Sequence, residues 1–309
     1  MAIPENQLQT WSHQGAVTSA AQTVASIEQA LNSYSWPDGI QREVYLQGSY
    51  KNSTNIRGDS DVDVIVQLNS CFYSNLSEEQ KKQRHLDPGK YTFNDFYPLV
   101  LQALVDYYGS SLIVEGNKSL KVLGTKLHAD VVPSVQYRKY YNPDMSNSFA
   151  EGIVFWTRDT DRRVLNYPKI HYHNGVRKHQ KSSNRYKLVV RMFKNIRSYL
   201  VDKNIVSESL APSYFLECLM YNVLDDRFSY NYQQTFCDVA NWLSNADMTS
   251  FSCQNELTLP RLLYHYILEY PALIDSASTG MPVEKFSVSF LINSSGVRFP
   301  SELCGLAVL

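Results

Sequence analysis

An α+β fold is predicted for this 309-residue chain, and three features of its hydrophobic pattern predict it. Short β-branched runs alternate with amphipathic stretches between about residues 38 and 160, the pattern of a mixed sheet flanked by helices. After about residue 165 the helical period dominates, which marks a second, mainly helical lobe. A long amphipathic segment precedes the first strand. These divisions give residues 1–37 as an N-terminal helix, 38–160 as a mixed lobe and 161–309 as a helical lobe packed against it.

In chain order, residues 6–33 read as one long helix. Val17, Ala20, Ala21, Val24, Ile27, Ala30 and Leu31 recur at helical spacing, and Ser33-Tyr34-Ser35-Trp36-Pro37 ends it. REVYLQGSY, residues 42–50, reads as a strand ending at Gly48-Ser49. The turn formers Gly58-Asp59-Ser60 precede DVDVIVQL, residues 61–68, which is too short and too β-branched for a helix. A helix is expected over 92–109, with Phe96, Leu99, Val100, Ala103, Leu104 and Tyr107 inward and Gly109 as its stop. Leu112-Ile113-Val114 reads as a strand, and KLHADVVPS, residues 126–134, as a neighbouring short strand ended by Pro133. Four helices follow: 184–200, with Leu188, Val189, Met192, Phe193, Ile196 and Leu200 as its core stripe, then one opening at Ala211-Pro212-Ser213, 231–246 and 259–270. The tail FSVSFLINSSGV, residues 286–297, fits either helix or strand.

Composition excludes several classes. With 44% hydrophobic and 13% aromatic residues the chain is not disordered. It has no apolar run long enough for a membrane span and no basic-then-apolar leader, so a cytoplasmic location without a membrane partner is expected. Cys71, Cys218, Cys237, Cys253 and Cys304 are odd in number and show no C-x-x-C, which argues against a disulfide framework or a zinc ribbon. His171 and His173 lack the neighbours a metal needs and read as a loop or strand feature. The net charge of −1 gives no general pull toward nucleic acid, so no stable nucleic-acid partner is expected. Between Arg158 and Arg197, however, twelve Lys and Arg face only Asp159 and Asp161; the concentration suits either a solvated face or a phosphate-binding one.

The chemistry is concentrated in residues 46–68. On a strand, Asp61 and Asp63 project to one side about 7 Å apart, while Val62, Val64 and Val66 face the core. Paired carboxylates repel, so the arrangement calls for divalent cations between them, and oxygen-only ligands favour Mg²⁺ or Mn²⁺. Asp130, ahead of Val131-Val132, supplies the third carboxylate that in-line phosphoryl transfer requires. Gly48 lets backbone approach a ligand closely, and Ser49 offers a hydroxyl to phosphate; a plain turn would use the same dipeptide. Farther on, Lys187, Arg191 and Lys194 fall on one side of the 184–200 helix. Ser213 falls in a first helical turn, where it either meets phosphate or caps the helix. Asn166, in the turn Asn166-Tyr167-Pro168, carries donors and acceptors that match a pyrimidine edge, and is also ordinary turn chemistry.

Gly-Ser, eleven residues, Asp-x-Asp and a later Asp before Val-Val-Pro together resemble the DNA polymerase β-like nucleotidyltransferase superfamily. QGSYKNSTNI, SDVDVIV, HADVVPS and NYPKIHYHNGVRKHQ narrow the resemblance to the bacterial cGAS/DncV-like nucleotidyltransferases of CBASS anti-phage systems, over most of residues 40–220. The resemblance implies a polymerase β-like core, a C-terminal helical lobe and a long N-terminal helix bridging both. It also implies synthesis of a cyclic di- or trinucleotide second messenger from nucleoside triphosphates, with pyrophosphate released and a cyclic-nucleotide-activated effector downstream. On this reading Asp61, Asp63 and Asp130 hold two Mg²⁺ ions. Gln47, Gly48, Ser49, Lys187, Arg191, Lys194 and Ser213 contact the nucleotide, Tyr214 stacks on a base and Asn166 reads one, which favours a pyrimidine-containing product. A monomer is expected. An RNA- or oligoadenylate-forming relative and an inactive nucleotide-binding or antitoxin-like module stay open as alternatives.

Overall fold

The structure, a computed structural model, describes residues 3–15, 17–56, 61–142, 148–204, 211–247 and 250–255. The turn at Gly58-Asp59-Ser60, the helix expected over 259–270, the tail 286–297 and Cys304 lie outside the described residues. Contacts divide the chain into two units, residues 15–172 and residues 1–14 with 173–309.

The N-terminal segment contributes a separate helix to each unit. In place of one helix over 6–33 there are α1 (Glu5–Trp11) and α2 (Thr18–Ser33). Tertiary bonds end α1: the Ser12 hydroxyl donates to the Tyr232 hydroxyl at 2.9 Å, and Arg191 Nε donates to the Ser12 carbonyl at 2.5 Å. Gly15, a poor helix former, follows. Ala20, Ile27, Ala30 and Leu31 of α2 are buried as the spacing predicts, whereas Val17 is 54% exposed.

In the unit 15–172 the chain runs β1 (Arg42–Leu46), α3 (Gly48–Asn52), β2 (Val62–Ser74), α4 (Glu78–Gln83), α5 (Phe93–Tyr108), β3 (Ile113–Glu115), β4 (Leu120–Val122), β5 (Ala129–Tyr140), β6 (Phe149–Trp156) and β7 (Arg163–Asn166). The sheet order is β1-β2-β5-β4-β3, with β6 also pairing β5 and β7 pairing β6. Only β2 and β5 are parallel among these pairs, and their register sets Asp63 opposite Asp130. Val62, Val64, Val66, Leu68, Val131 and Val135 are fully buried. Each such side chain withdrawn from water contributes about 1.5–3 kcal/mol, so this strand pair anchors the core.

Four local expectations need correction. β1 stops at Leu46, because Gly48 takes a left-handed φ of 66° and opens a short helix instead of continuing the strand. Pro133 does not end its strand; it sits within the twelve-residue β5. Pairing with β4 finishes at Val131 and pairing with β6 starts at Val135, so the missing Pro N–H falls between two neighbours and breaks no ladder bond. β4 rather than the 112–114 strand is the neighbour of Asp130. The helix at 92–109 forms as α5, with a Thr92/Asp95 capping box and Gly109 at its C-terminal end, but Tyr107 is 40% exposed instead of inward.

Helix α6 (Pro168–Lys181) carries the chain across the division, and α7 (Tyr186–Asp202), α8 (Ser213–Asn222) and α9 (Tyr232–Asn245) follow. Their core gathers Leu8 of α1 with Tyr186, Val189, Met192, Phe215 and Leu219. His171 and His173, expected in a loop or strand, lie within α6, because Pro168 opens a helix that extends to Lys181.

Gly152 of β6 sets the corner where β7 meets α6. A Cβ there would stand 2.7 Å from the Asn166 carbonyl oxygen and 2.7 Å from Tyr167 Cδ1. Gly152→Ala is therefore expected to destabilise the protein by about 1–3 kcal/mol through overpacking, read as a lowered urea midpoint; an unchanged midpoint would show that the corner yields freely.

Candidate active site

Three neighbouring strands build one polar row. Asp63 of β2 faces Asp130 of β5 in the parallel register, and Asp130 faces Lys121 of β4 in the antiparallel one. Adjacent strands lie about 4.8 Å apart, so these side chains emerge side by side, and Asp61 joins them two residues earlier along the chain. Lys121 Nζ is 3.2 Å from Asp61 Oδ2 and 3.8 Å from Asp130 Oδ1, and Ser119 Oγ donates to Asp130 Oδ1 at 3.1 Å. Neither Lys121 nor Ser119 is singled out by the sequence reading. The alternation Ser119-Leu120-Lys121-Val122, with Leu120 and Val122 buried, is the signal that could have found them.

The row carries three carboxylates and the ammonium of Lys121, a net negative charge. Burial first, then Asp130 and Asp61, pushes the Asp63 carboxyl up to about 7. Among the described residues no three His, Cys, Asp or Glu side chains converge as a ready-made metal cage. The carboxylates repel one another, and the ammonium of Lys121 lies beside two of them. Hard oxygen donors with excess negative charge fit a divalent cation of the Mg²⁺ class.

Gly48 serves this row more directly than as a general loop former. An added Cβ would lie 2.0 Å from Asp63 Oδ2, so the absence of a side chain is what admits the carboxylate. The Gln47 N–H donates to the Asp63 carbonyl at 3.0 Å, and the Asn52 side chain donates to the Gly48 carbonyl at 2.9 Å, fixing the corner. Ser49 stands in the first turn of α3. Asn166, the last residue of β7, is brought to the same corner: its Nδ2 is 3.5 Å from Gln47 Oε1, and its Oδ1 accepts the Tyr167 N–H at 2.8 Å.

The helical unit treats its candidates differently. Lys187, Arg191 and Lys194 are 9%, 7% and 3% exposed, so they form no solvated face. Lys194 pairs with Glu217 of α8 at 3.1 Å, both side chains being buried. Burial lowers the Lys187 pKa and brings that of Arg191 down to about 10. Ser213 is exposed at the first position of α8, where Pro212 is the cap residue, so Ser213 does not cap the helix. Tyr214 packs against the core cluster. Other cations of the basic stretch are also engaged: Arg158 meets Glu115 at 3.3 Å, Lys169 meets Glu43 and Glu151, and Lys178 meets Asp225 at 2.6 Å.

A family model described as the cGAS/DncV-like nucleotidyltransferase C-terminal helical domain matches residues 173–260. The cyclic UMP-AMP synthase of Rhodothermus marinus is 55% identical over 256 residues, covering 82% of this chain and 88% of that protein. The chain belongs to the cGAS/DncV-like nucleotidyltransferases. The cyclic nucleotide synthase CdnE01 of Staphylococcus haemolyticus is 38% identical, covering 83% and 90% of the two chains. A solved structure of the Rhodothermus marinus CdnE c-UMP-AMP synthase with Apcpp and Upnpp superposes with a TM-score of 0.79, covering 82% of this chain and 86% of that one. This member of the family is thus a cyclic nucleotide synthase, an α+β protein of mixed sheet and C-terminal helical domain. No helix among its described residues is long and apolar enough to cross a membrane.

Two outcomes are expected for this nucleotidyltransferase. Gly48→Ala displaces the Asp63 carboxylate and should lower the rate of nucleotide transfer at least about 100-fold in a folded protein; a rate near that of the parent would refute the close-approach argument. In chelator, Asp63 binds its proton more tightly in the folded than in the unfolded state. Its contribution to stability therefore falls as pH rises from about 4 to about 7. Asp63→Asn should flatten that slope and be the more stable protein near pH 8, as followed by urea unfolding across the pH range.

Proposed function

We propose that this enzyme joins a pyrimidine and a purine nucleoside triphosphate, UTP and ATP, into cyclic UMP-AMP with release of pyrophosphate, and that the product serves as a second messenger for a downstream effector. The observation that carries the reading is the in-register pairing of Asp63 with Asp130, with Asp61 beside them. Similarity to the Rhodothermus marinus synthase supports the choice of bases.

Asp61, Asp63 and Asp130 are the residues that would hold the divalent ions, Mg²⁺ by the hardness of the donor set. When bound, such ions lower the pKa of an attacking ribose hydroxyl and neutralise charge on the leaving pyrophosphate. The chain's own groups do the rest. Gly48 leaves room for the Asp63 carboxylate, and Ser49 presents a hydroxyl to phosphate. Asn166, tethered near Gln47, carries a carboxamide with the donor and acceptor types that a pyrimidine edge requires. In the helical unit, Ser213 at the N-terminus of α8 is assigned to phosphate, with Lys187 and Arg191, and Tyr214 to a base. Lys194 reaches phosphate only by giving up part of its bond to Glu217.

Incubation with all four nucleoside triphosphates and Mg²⁺, then phosphatase treatment and mass spectrometry, should yield a resistant product with the mass of cyclic UMP-AMP. A product of purines alone would overturn the base assignment. Asp61→Asn with Asp63→Asn should reduce product to background with the fold intact; retained turnover would remove the metal role. Asn166→Ala should lower the preference for UTP by about 10–100-fold, since the base then loses its polar partner.

A further inference from the structure

Three residues beyond Asn166 stands a cation with an unusual share of partners. Lys169, the second residue of α6, has its Nζ 2.8 Å from Glu43 Oε2 of β1 and 2.7 Å from Glu151 Oε1 of β6, and lies 5.1 Å from the centroid of the Tyr45 ring. Glu151 is held from within the sheet as well. Gln67, fully buried on β2, donates from Nε2 to Glu151 Oε1 at 3.3 Å and to Asn69 Oδ1 at 2.7 Å, while its Oε1 accepts the Tyr45 hydroxyl at 2.6 Å. Burial works against ionisation of Glu151, yet its bonds with Lys169 and Gln67 prevail and its pKa is lowered; Lys169 is raised on the same balance.

The network ties together the elements that place Asn166. Glu43 and Tyr45 of β1 precede Gln47, which follows the strand's end and whose side chain meets Asn166. Glu151 precedes Gly152, which gives the Asn166-Tyr167 corner its close seat on β6. Lys169 reaches back from the helix that begins at that corner. Its side chain and those of Glu43 and Glu151 are 35%, 40% and 32% exposed, so screening keeps the ion pairs individually modest. Their consequence is geometrical: without the ammonium, two carboxylates repel on either side of the corner.

We infer that Lys169 is a positioning residue for base selection: by clamping Glu43 of β1 to Glu151 of β6 it fixes the β7–α6 corner, and with it the Asn166 carboxamide that meets the pyrimidine. The inference rests on the reading of Asn166 as a base contact. It assigns Lys169 no contact with substrate.

The test is competition between UTP and GTP in the presence of ATP and Mg²⁺, with products quantified by mass spectrometry, for Lys169→Met, Lys169→Arg, Glu151→Gln and Asn166→Ala. Lys169→Met should lower the parent's preference for UTP about tenfold, mainly by raising KM for UTP, because a carboxamide out of place loses its discrimination. Lys169→Arg, which keeps the charge, should restore most of the preference. A preference equal to the parent's in Lys169→Met, or an equal loss with every nucleotide, overturns the inference. Should Lys169→Met fail to fold, Glu151→Gln decides: it keeps the shape, and an unchanged preference there overturns the inference too. Asn166→Ala separates the two readings. If it shifts base choice and the Lys169 and Glu151 variants do not, the clamp alone is wrong; if it shifts nothing, the Asn166 reading and the clamp built on it both fall.

Discussion

Parallel pairing of β2 with β5 is the constraint on which the sheet unit depends. These strands carry most of that unit's fully buried valines, and their register leaves no choice about which side chains face each other. Because strand residues alternate, a slip of one position would turn Asp63 into the core and a valine out to the polar row. Burial of Val62, Val64, Val131 and Val135 therefore fixes the carboxylates as firmly as any contact of their own. Gly48 and the Gln47 N–H, in the turn that follows β1, then close on Asp63, so the segments on both sides of β2 define where that side chain stands.

What was legible in the sequence follows from which signals are local. The β-branched run after Asp61 and the Val-Val after Asp130 announce buried strands, and alternation places both Asp residues on one face. The apolar stripe of residues 96–104 and the stop at Gly109 announce α5 equally well. The break between α1 and α2 was hidden, because it depends on Tyr232 and Arg191, residues far along the chain that engage Ser12. Pro133 misled for the same reason: whether a proline ends a strand depends on which neighbours pair with it, and here the gap between β4 and β6 receives it. Lys121 is harder to read, because the alternation that marks it spans only a three-residue strand.

In the helical unit the charged residues of α7 show how little a wheel diagram says about solvent. Lys187, Arg191 and Lys194 share one side of the helix, as their spacing requires, but that side is covered. Each has bonded partners, and the Lys194–Glu217 pair is held in a setting where desolvation offsets much of the attraction. Such a pair specifies how α7 and α8 meet more than it stabilises them, since any other alignment would strand two buried charges.

Pro133 divides β5 into two working lengths. Residues 129–131 bind β4 and complete the acidic row, whereas residues 135–140 bind β6, which leads through β7 to Asn166. No hydrogen-bonded ladder joins β4 to β6 among the described residues, so strand pairing links the two branches through β5, while Arg158 just after β6 also meets Glu115 of β3. A sheet forked in this way is modular along one strand. On the proposed roles of Asn166 and the three carboxylates, substitutions that reshape the β6–β7 branch would alter which nucleobase is accepted while leaving the acidic row in place, so that one core could serve a set of differing signals.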